Sequence, residues 1–208
     1  MKPDVPVARR EDYEIRDCPL HEAAAFISAT HYARGCANTA VYVHGLYRGD
    51  TLVGAALWMP PTKVCAQTVH PEWRRVLALS RLAIAPGEPQ NAASILIGES
   101  VRRIRRDRKW KALVTFADES QGHSGTIYRA TNWVYVGRTK PEPRWEDASG
   151  RQVARKATKS RTAAQMDALG YRMVGKFSKH KFILVLERPV ILHSTTTVQE
   201  PDSSSKVP

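Results

Sequence analysis

The sequence is short of cysteine, and the few it has are badly placed for chemistry. Cys18, Cys36 and Cys65 are odd in number, widely spaced and form no C-x-x-C. That excludes a disulfide framework and a thiolate zinc site, and it suits a reducing compartment. No apolar run is long enough to cross a bilayer, and the opening MKPDVPVARREDYE lacks an apolar segment of the secretory kind. A cytoplasmic protein without a membrane partner is expected. Acidic residues are also scarce, with 20 Asp+Glu against 32 Lys+Arg, so the net charge is +12 and the isoelectric point is near 9.9. Such an excess selects polyanionic partners, nucleic acid before acidic membrane surfaces. The basic residues gather in two stretches, Arg102 to Arg108 and Arg138 to Arg161. That clustering favours DNA over a merely solvated face.

What remains is an ordinary globular composition, 42% hydrophobic and 25% charged over 208 residues, enough for one domain with a sizeable core. Residues 1–12 read as a flexible N-terminal arm, 13–190 as the folded domain, and 191–208, rich in Ser and Thr, as a disordered tail. HEAAAFISATHY (21–32) predicts a helix. VYVHGLY (41–47) and TLVGAALWM (51–59) flank a turn at Arg48-Gly49-Asp50 and predict an antiparallel hairpin. VLALSRLAI (76–84) is a continuous apolar run, as in a strand buried on both faces. In AASILIGESVRRIRR, Ile95, Leu96, Ile97, Val101 and Ile104 recur at helical spacing; Asn91 reads as the N-cap and the arginines form the outer face.

KALVTFAD (111–118) predicts a second central strand, and strand–helix–strand order implies a largely parallel sheet. Residues 138–168 read as a solvated basic excursion with a turn at Ser149-Gly150. Strands resume at YRMVGKF and KFILVLE.

The chemistry concentrates in FADESQGHSGTIYRATNWVYVG (116–137). Asp118 ends an apolar strand, where open α/β sheets form clefts; its structural alternative is a cap for the next helix. Arg81 stands in an otherwise apolar strand, where it needs a partner. Asp118 on a neighbouring strand is the natural one, and an anionic substrate group is the other. His123 and Ser124 occupy a glycine-flanked loop that lets backbone approach a ligand. For Ser124, as for Ser94 at the start of the long helix, a helix cap is the more frequent role of a single Ser. Tyr128 divides evenly between packing and acid chemistry.

The order of these elements resembles the GNAT (Gcn5-related N-acyltransferase) fold, a central mixed sheet flanked by helices. In that family the loop before the long helix cradles the pyrophosphate of acetyl-CoA, and a helical tyrosine, here Tyr128, protonates the departing thiolate. The loop Gly87-Glu88-Pro89-Gln90-Asn91 departs from the family's Q/R-x-x-G-x-G/A, since prolines remove donors and Glu88 has the wrong sign. That leaves acetyl-CoA or another acyl or aminoacyl donor open.

A closer resemblance lies in LSRLAI, the Asp118 loop, Q-G-H-x-G-T-I-Y-x-A-x-N-W-x-Y-x-G and the late K-H-K-F-I. Together they resemble the Mom family of phage DNA-modification proteins, a divergent GNAT group whose product is N6-carbamoylmethyladenine, a mark that blocks restriction enzymes. The resemblance implies catalytic roles for Asp118, Tyr128 and Arg81, donor binding near Ser94, Ser124 and His123, and an iron site at His31 and Tyr32. It also implies base extrusion from DNA, with Trp133, Tyr135 or Trp145 available for stacking. An acetyltransferase acting on a small amine or protein, and a non-catalytic DNA-binding protein on the same scaffold, remain alternatives. A homodimer is among the open oligomeric states.

Overall fold

The computed structural model describes residues 7–153, 155–158 and 160–187. Seven strands form one sheet in the order β1-β2-β3-β4-β5-β9-β6, and β7 and β8 form a separate two-stranded sheet. The strands are β1 (Glu14–Asp17), β2 (Tyr42–Arg48), β3 (Thr51–Met59), β4 (Val76–Ile84), β5 (Ala112–Asp118), β6 (Val134–Arg138), β7 (Glu142–Glu146), β8 (Arg172–Phe177) and β9 (Lys179–Val185). The helices are α1 (Leu20–Thr30), α2 (Lys63–Gln67), α3 (Ala92–Arg106), α4 (Thr126–Ala130), α5 (Arg155–Thr158) and α6 (Ala163–Ala168).

The β2–β3 hairpin turns where Gly49 takes φ of 58°, as its sequence predicts. The parallel expectation is corrected. Only β4 and β5 run parallel; β1/β2, β2/β3, β3/β4, β5/β9 and β6/β9 are all antiparallel. β9 arrives late in the chain and inserts between β5 and β6, a long-range choice that local patterning does not carry.

The α3 stripe works as read. Leu96, Ile97, Val101 and Ile104 are buried against the sheet, while Arg102, Arg105 and Arg106 stay exposed. On the opposite face Ala23 and Ile27 of α1 pack on Ala55, Leu57 and Ala83. Asn91 holds the N-cap position, but its side chain makes no cap bond. It pairs instead with the backbone of Ala8, giving and receiving bonds of 2.8 Å. Residues 7–12 are thereby anchored: Ala8 is buried and residues 10–12 form a 3-10 turn. The tail expected at 191–208 lies outside the described residues.

His44 on β2 is buried. Its Nε2 lies 3.8 Å from the Asp17 carboxylate, which favours the charged ring, yet burial wins and holds its pKa down at about 4. The unfolded chain therefore binds a proton near pH 6.5 that the native state refuses. Stability is expected to fall as pH drops from about 6.5 towards 4. Urea melts across that window should show the slope, and His44→Gln should reduce it, leaving the share of His31, whose pKa is also held down at about 4.

Candidate active site

β4 and β5 pair only over Val76–Ala78 and Ala112–Val114. Beyond that the register stops, and a cavity of about 370 Å³ opens between Leu79–Leu82 and Thr115–Ala117. The glycine-rich loop closes one side. Asp118 ends β5 and its carboxylate accepts from the Ser120 N–H at 3.0 Å and the Ser120 hydroxyl at 2.7 Å, capping a 3-10 turn over residues 119–121. Gly122, at φ of 69°, reverses the chain, and the His123 N–H returns to the Asp118 carbonyl at 3.3 Å. Gly125 caps α4 at φ of 77°. A Cβ there would lie 2.3 Å from the Phe182 ring, so only glycine fits. The cap is thus Gly125; Ser124 bonds instead to the Thr126 hydroxyl at 2.9 Å.

Tyr128 is buried between Trp133 and Phe182, with ring centroids at 5.8 and 5.3 Å, and it lines the cavity. Burial raises its pKa, a bond with Thr115 opposing weakly. The phenol is therefore protonated at neutral pH and fit to donate. Packing and acid roles coexist in this side chain.

Asp118 does not line that cavity. It faces an adjoining one of about 490 Å³, shared with Tyr32, Arg34, Arg81, Arg144 and Arg151. Burial pushes its carboxyl up, but the two Ser120 bonds and Lys179, with Nζ at 3.5 Å, outweigh it and hold the carboxyl below its ordinary value. The expected ion pair with Arg81 is absent. Arg81 donates to the carbonyls of Gly35 at 2.9 Å and Ser80 at 2.7 Å, and it lines both cavities with Tyr32. Asp118 takes Lys179 because the two stand opposite each other in the β5–β9 register.

His31 and Tyr32 are not adjacent on a helix, since α1 ends at Thr30 and His31 turns extended. Their rings stack at 4.2 Å, and His123 meets Tyr32 edge-on at 5.8 Å. Burial, with Arg81 and His123 nearby, holds His31 at about pKa 4; burial and Asp118 push Tyr32 up to about 12. The iron expectation does not fit this donor set. His31 Nδ1 already accepts from the Ala33 N–H at 3.1 Å. Among the described residues no group of three His, Cys, Asp or Glu is placed to hold a metal. The rings of His31, Tyr32 and His123 instead form an aromatic wall.

The acetyl-CoA cradle fares no better. Glu88 is drawn out of the β4–α3 loop by Tyr13 at 2.5 Å and Arg48 at 2.8 Å. Pro86 and Pro89 bring no N–H, the Ala92 N–H is spent on the Pro89 carbonyl at 2.9 Å, and Ala8 occupies the Asn91 amide. The head of α3 thus lacks part of the donor set that a pyrophosphate loop offers. Ser94 is half-buried and lines none of the cavities described here, whereas Gln90 and Thr115, unnoticed in the sequence, line the cavity beside Tyr128.

Solved structures with this fold include a putative acetyltransferase of Salmonella typhimurium carrying acetyl-CoA. It is 10% identical over 86% of this chain and 96% of that one, with a TM-score of 0.55. Another is the ribosomal-protein-S18-alanine N-acetyltransferase of Escherichia coli, 11% identical over 85% and 95%, with a TM-score of 0.53. These likenesses establish the GNAT acetyltransferase fold. The Mom protein family matches residues 12–200. The chain belongs to the Mom protein family. Within that family it is similar to the methylcarbamoylase Mom of Escherichia phage Mu, 29% identical over 122 residues, or 55% of this chain. The match spans 49% of the phage Mu protein, about half its length.

Trp133 and Trp145 cannot stack on a base from the surface, because both are core residues in this Mom-family chain. Tyr135 keeps 39% exposure. The basic stretches also separate. α3 runs for 15 residues, roughly 22 Å, so its arginine end lies far from the cleft that Gln90, just before the helix, lines. Arg144 and Arg151 of the second stretch stand at the cleft itself. Among the described residues no helix is long and apolar enough to cross a membrane.

Proposed function

We propose that this protein modifies adenine in DNA, adding a carbamoylmethyl group to N6 and so shielding the DNA from restriction. One observation carries the reading beyond family membership: Asp118 in the basic cavity and Tyr128 in the strand-splay cavity flank a wall that Arg81 and Tyr32 share. Acceptor and donor then approach from opposite sides of that wall.

N6 of adenine is a poor nucleophile and must lose a proton when its new bond to carbon forms. Asp118, ionised at neutral pH, accepts or orients that proton. Tyr128 donates to the group that leaves the donor. Arg81, fixed by two carbonyls, steadies negative charge on either partner. The α3 loop disfavours the alternative of an ordinary acetyl-CoA-dependent acetyltransferase, and no step above uses that cofactor.

Plasmid DNA from bacteria expressing the protein should resist restriction enzymes whose sites contain adenine. Tyr128→Phe should restore cleavage while the protein still accumulates in folded form. Complete cleavage of DNA from cells containing abundant folded wild-type protein would refute the proposal.

A further inference from the structure

A second cavity, of about 380 Å³, opens from the Asp118 cavity on the side of the small β7–β8 sheet. The two share Asp118, Arg144, Gln152 and Lys179, so they form one trough with two unlike arms. One arm is mainly apolar, walled by Pro61, Phe116, Pro143, Val153 and Phe177, with Glu142 and threonines also lining it. The other carries Arg34, Arg81 and Arg151. At the junction Arg144 gives its two terminal nitrogens to the Ser120 carbonyl at 3.2 Å and Glu146 at 2.9 Å. Its Nε is buried with no acceptor among the described residues.

We propose that this trough holds one extruded nucleotide of a DNA strand, with the base in the apolar arm and its phosphate in the arginine arm. This rests on the DNA-modification reading above. An apolar wall beside a cluster of cations, with one carboxylate where they meet, matches the three parts of such a ligand. A flat base takes the aromatic surfaces, a phosphate takes guanidinium groups, and an exocyclic amine takes a carboxylate. Phe116 lines both the apolar arm and the strand-splay cavity, so a base seated there lies against the donor's side. Phe177 and Phe116 are then base-stacking residues, and Arg34 and Arg151 phosphate ligands.

The surrounding chain supports this shape. β7 and β8 form the outer wall, and a Cβ on Gly175 would meet the Phe177 ring at 2.9 Å, so the glycine leaves the ring room beside its own strand. Arg151 is carried on a turn in which the Asp147 carboxylate accepts from the N–H groups of Ser149 and Arg151, at 2.9 and 3.0 Å. The same carboxylate accepts from the Arg151 Nε at 3.3 Å, so the guanidinium is held through that nitrogen.

Photo-cross-linking reads the base arm without needing the group donor. The full chain is irradiated with a single-stranded oligonucleotide containing 8-azidodeoxyadenosine, and the attached peptide is mapped by mass spectrometry. Attachment should fall on the peptides bearing Phe116 or Phe177. Phe177→Ala should lower the yield about tenfold, as loss of one stacking surface does, and Phe177→Tyr should restore it. Arg34→Ala and Arg151→Ala should each reduce the salt dependence of oligonucleotide binding by about one phosphate's share.

Attachment elsewhere, or undiminished yield with Phe177→Ala, overturns the proposal. Modified DNA together with attachment elsewhere would sink the nucleotide site alone. Attachment in the trough without modified DNA would leave the site standing and sink the transfer reaction.

Discussion

Asp118→Asn is expected to lower the rate of adenine modification by about 10²- to 10⁴-fold, the range a positioned acid or base contributes. The amide oxygen can still accept from the Ser120 N–H and hydroxyl, so the 3-10 turn and the loop behind it should survive. What disappears is the negative charge facing Lys179 and the capacity to take a proton. DNA affinity at fixed salt should therefore hold or rise slightly, because the change leaves Lys179 without its counter-charge in a cleft already rich in arginine. This split separates catalysis from binding. A purely structural Asp118 would instead show lost stability and unaltered turnover per folded molecule.

The second large effect is on stability. Gly125→Ala is expected to cost about 3 kcal/mol, from left-handed backbone strain and from overpacking. Gly125 sits at φ of 77°, and the new methyl would meet Phe182, which is fully buried and packs on Tyr128 and Tyr135. Gly87→Ala supplies the comparison. Its φ of 88° is as strained, but nothing lies within 4 Å of a Cβ placed there. It should cost only about 1 kcal/mol, the backbone share. Urea titration of the three proteins measures the difference, which isolates the contact with Phe182. Equal costs would show that the ring moves aside freely.

Much of this architecture was legible in the sequence wherever local pattern fixes it. The helical stripe of α3, the β2–β3 hairpin and the break from β5 into a glycine loop all follow from periodicity and turn chemistry. Tyr128 and Asp118 were legible as residues of interest, and the structure places both at cavities. Their partners were not. The Arg81–Asp118 pair was the natural choice for two groups on neighbouring strands, yet β4 and β5 part before reaching either residue. Lys179 wins because β9 inserts beside β5 in antiparallel register, a pairing set by contacts sixty residues apart in sequence. The K-H-K-F-I motif contained it, but spacing alone assigns it no role.

The same blindness to tertiary placement explains Trp133 and Trp145. An aromatic near a basic run reads as a stacking surface, and only packing reveals a core residue. The geometry of the His31-Tyr32 pair was hidden for a related reason. A helix written through residue 32 puts the two rings about 100° apart, whereas the chain leaves the helix at His31 and stacks them.

The central claim is the transfer of a group to N6 of adenine in DNA. The most direct measurement is nucleoside mass spectrometry on DNA from adenine-requiring bacteria that express the protein and are fed adenine carrying nitrogen-15 at the exocyclic position. The account predicts a new deoxyadenosine with the mass of a carbamoylmethyl adduct that retains the label, because the amine is the acceptor and is never displaced. Unmodified deoxyadenosine throughout, or a new species that has lost the label, would contradict it.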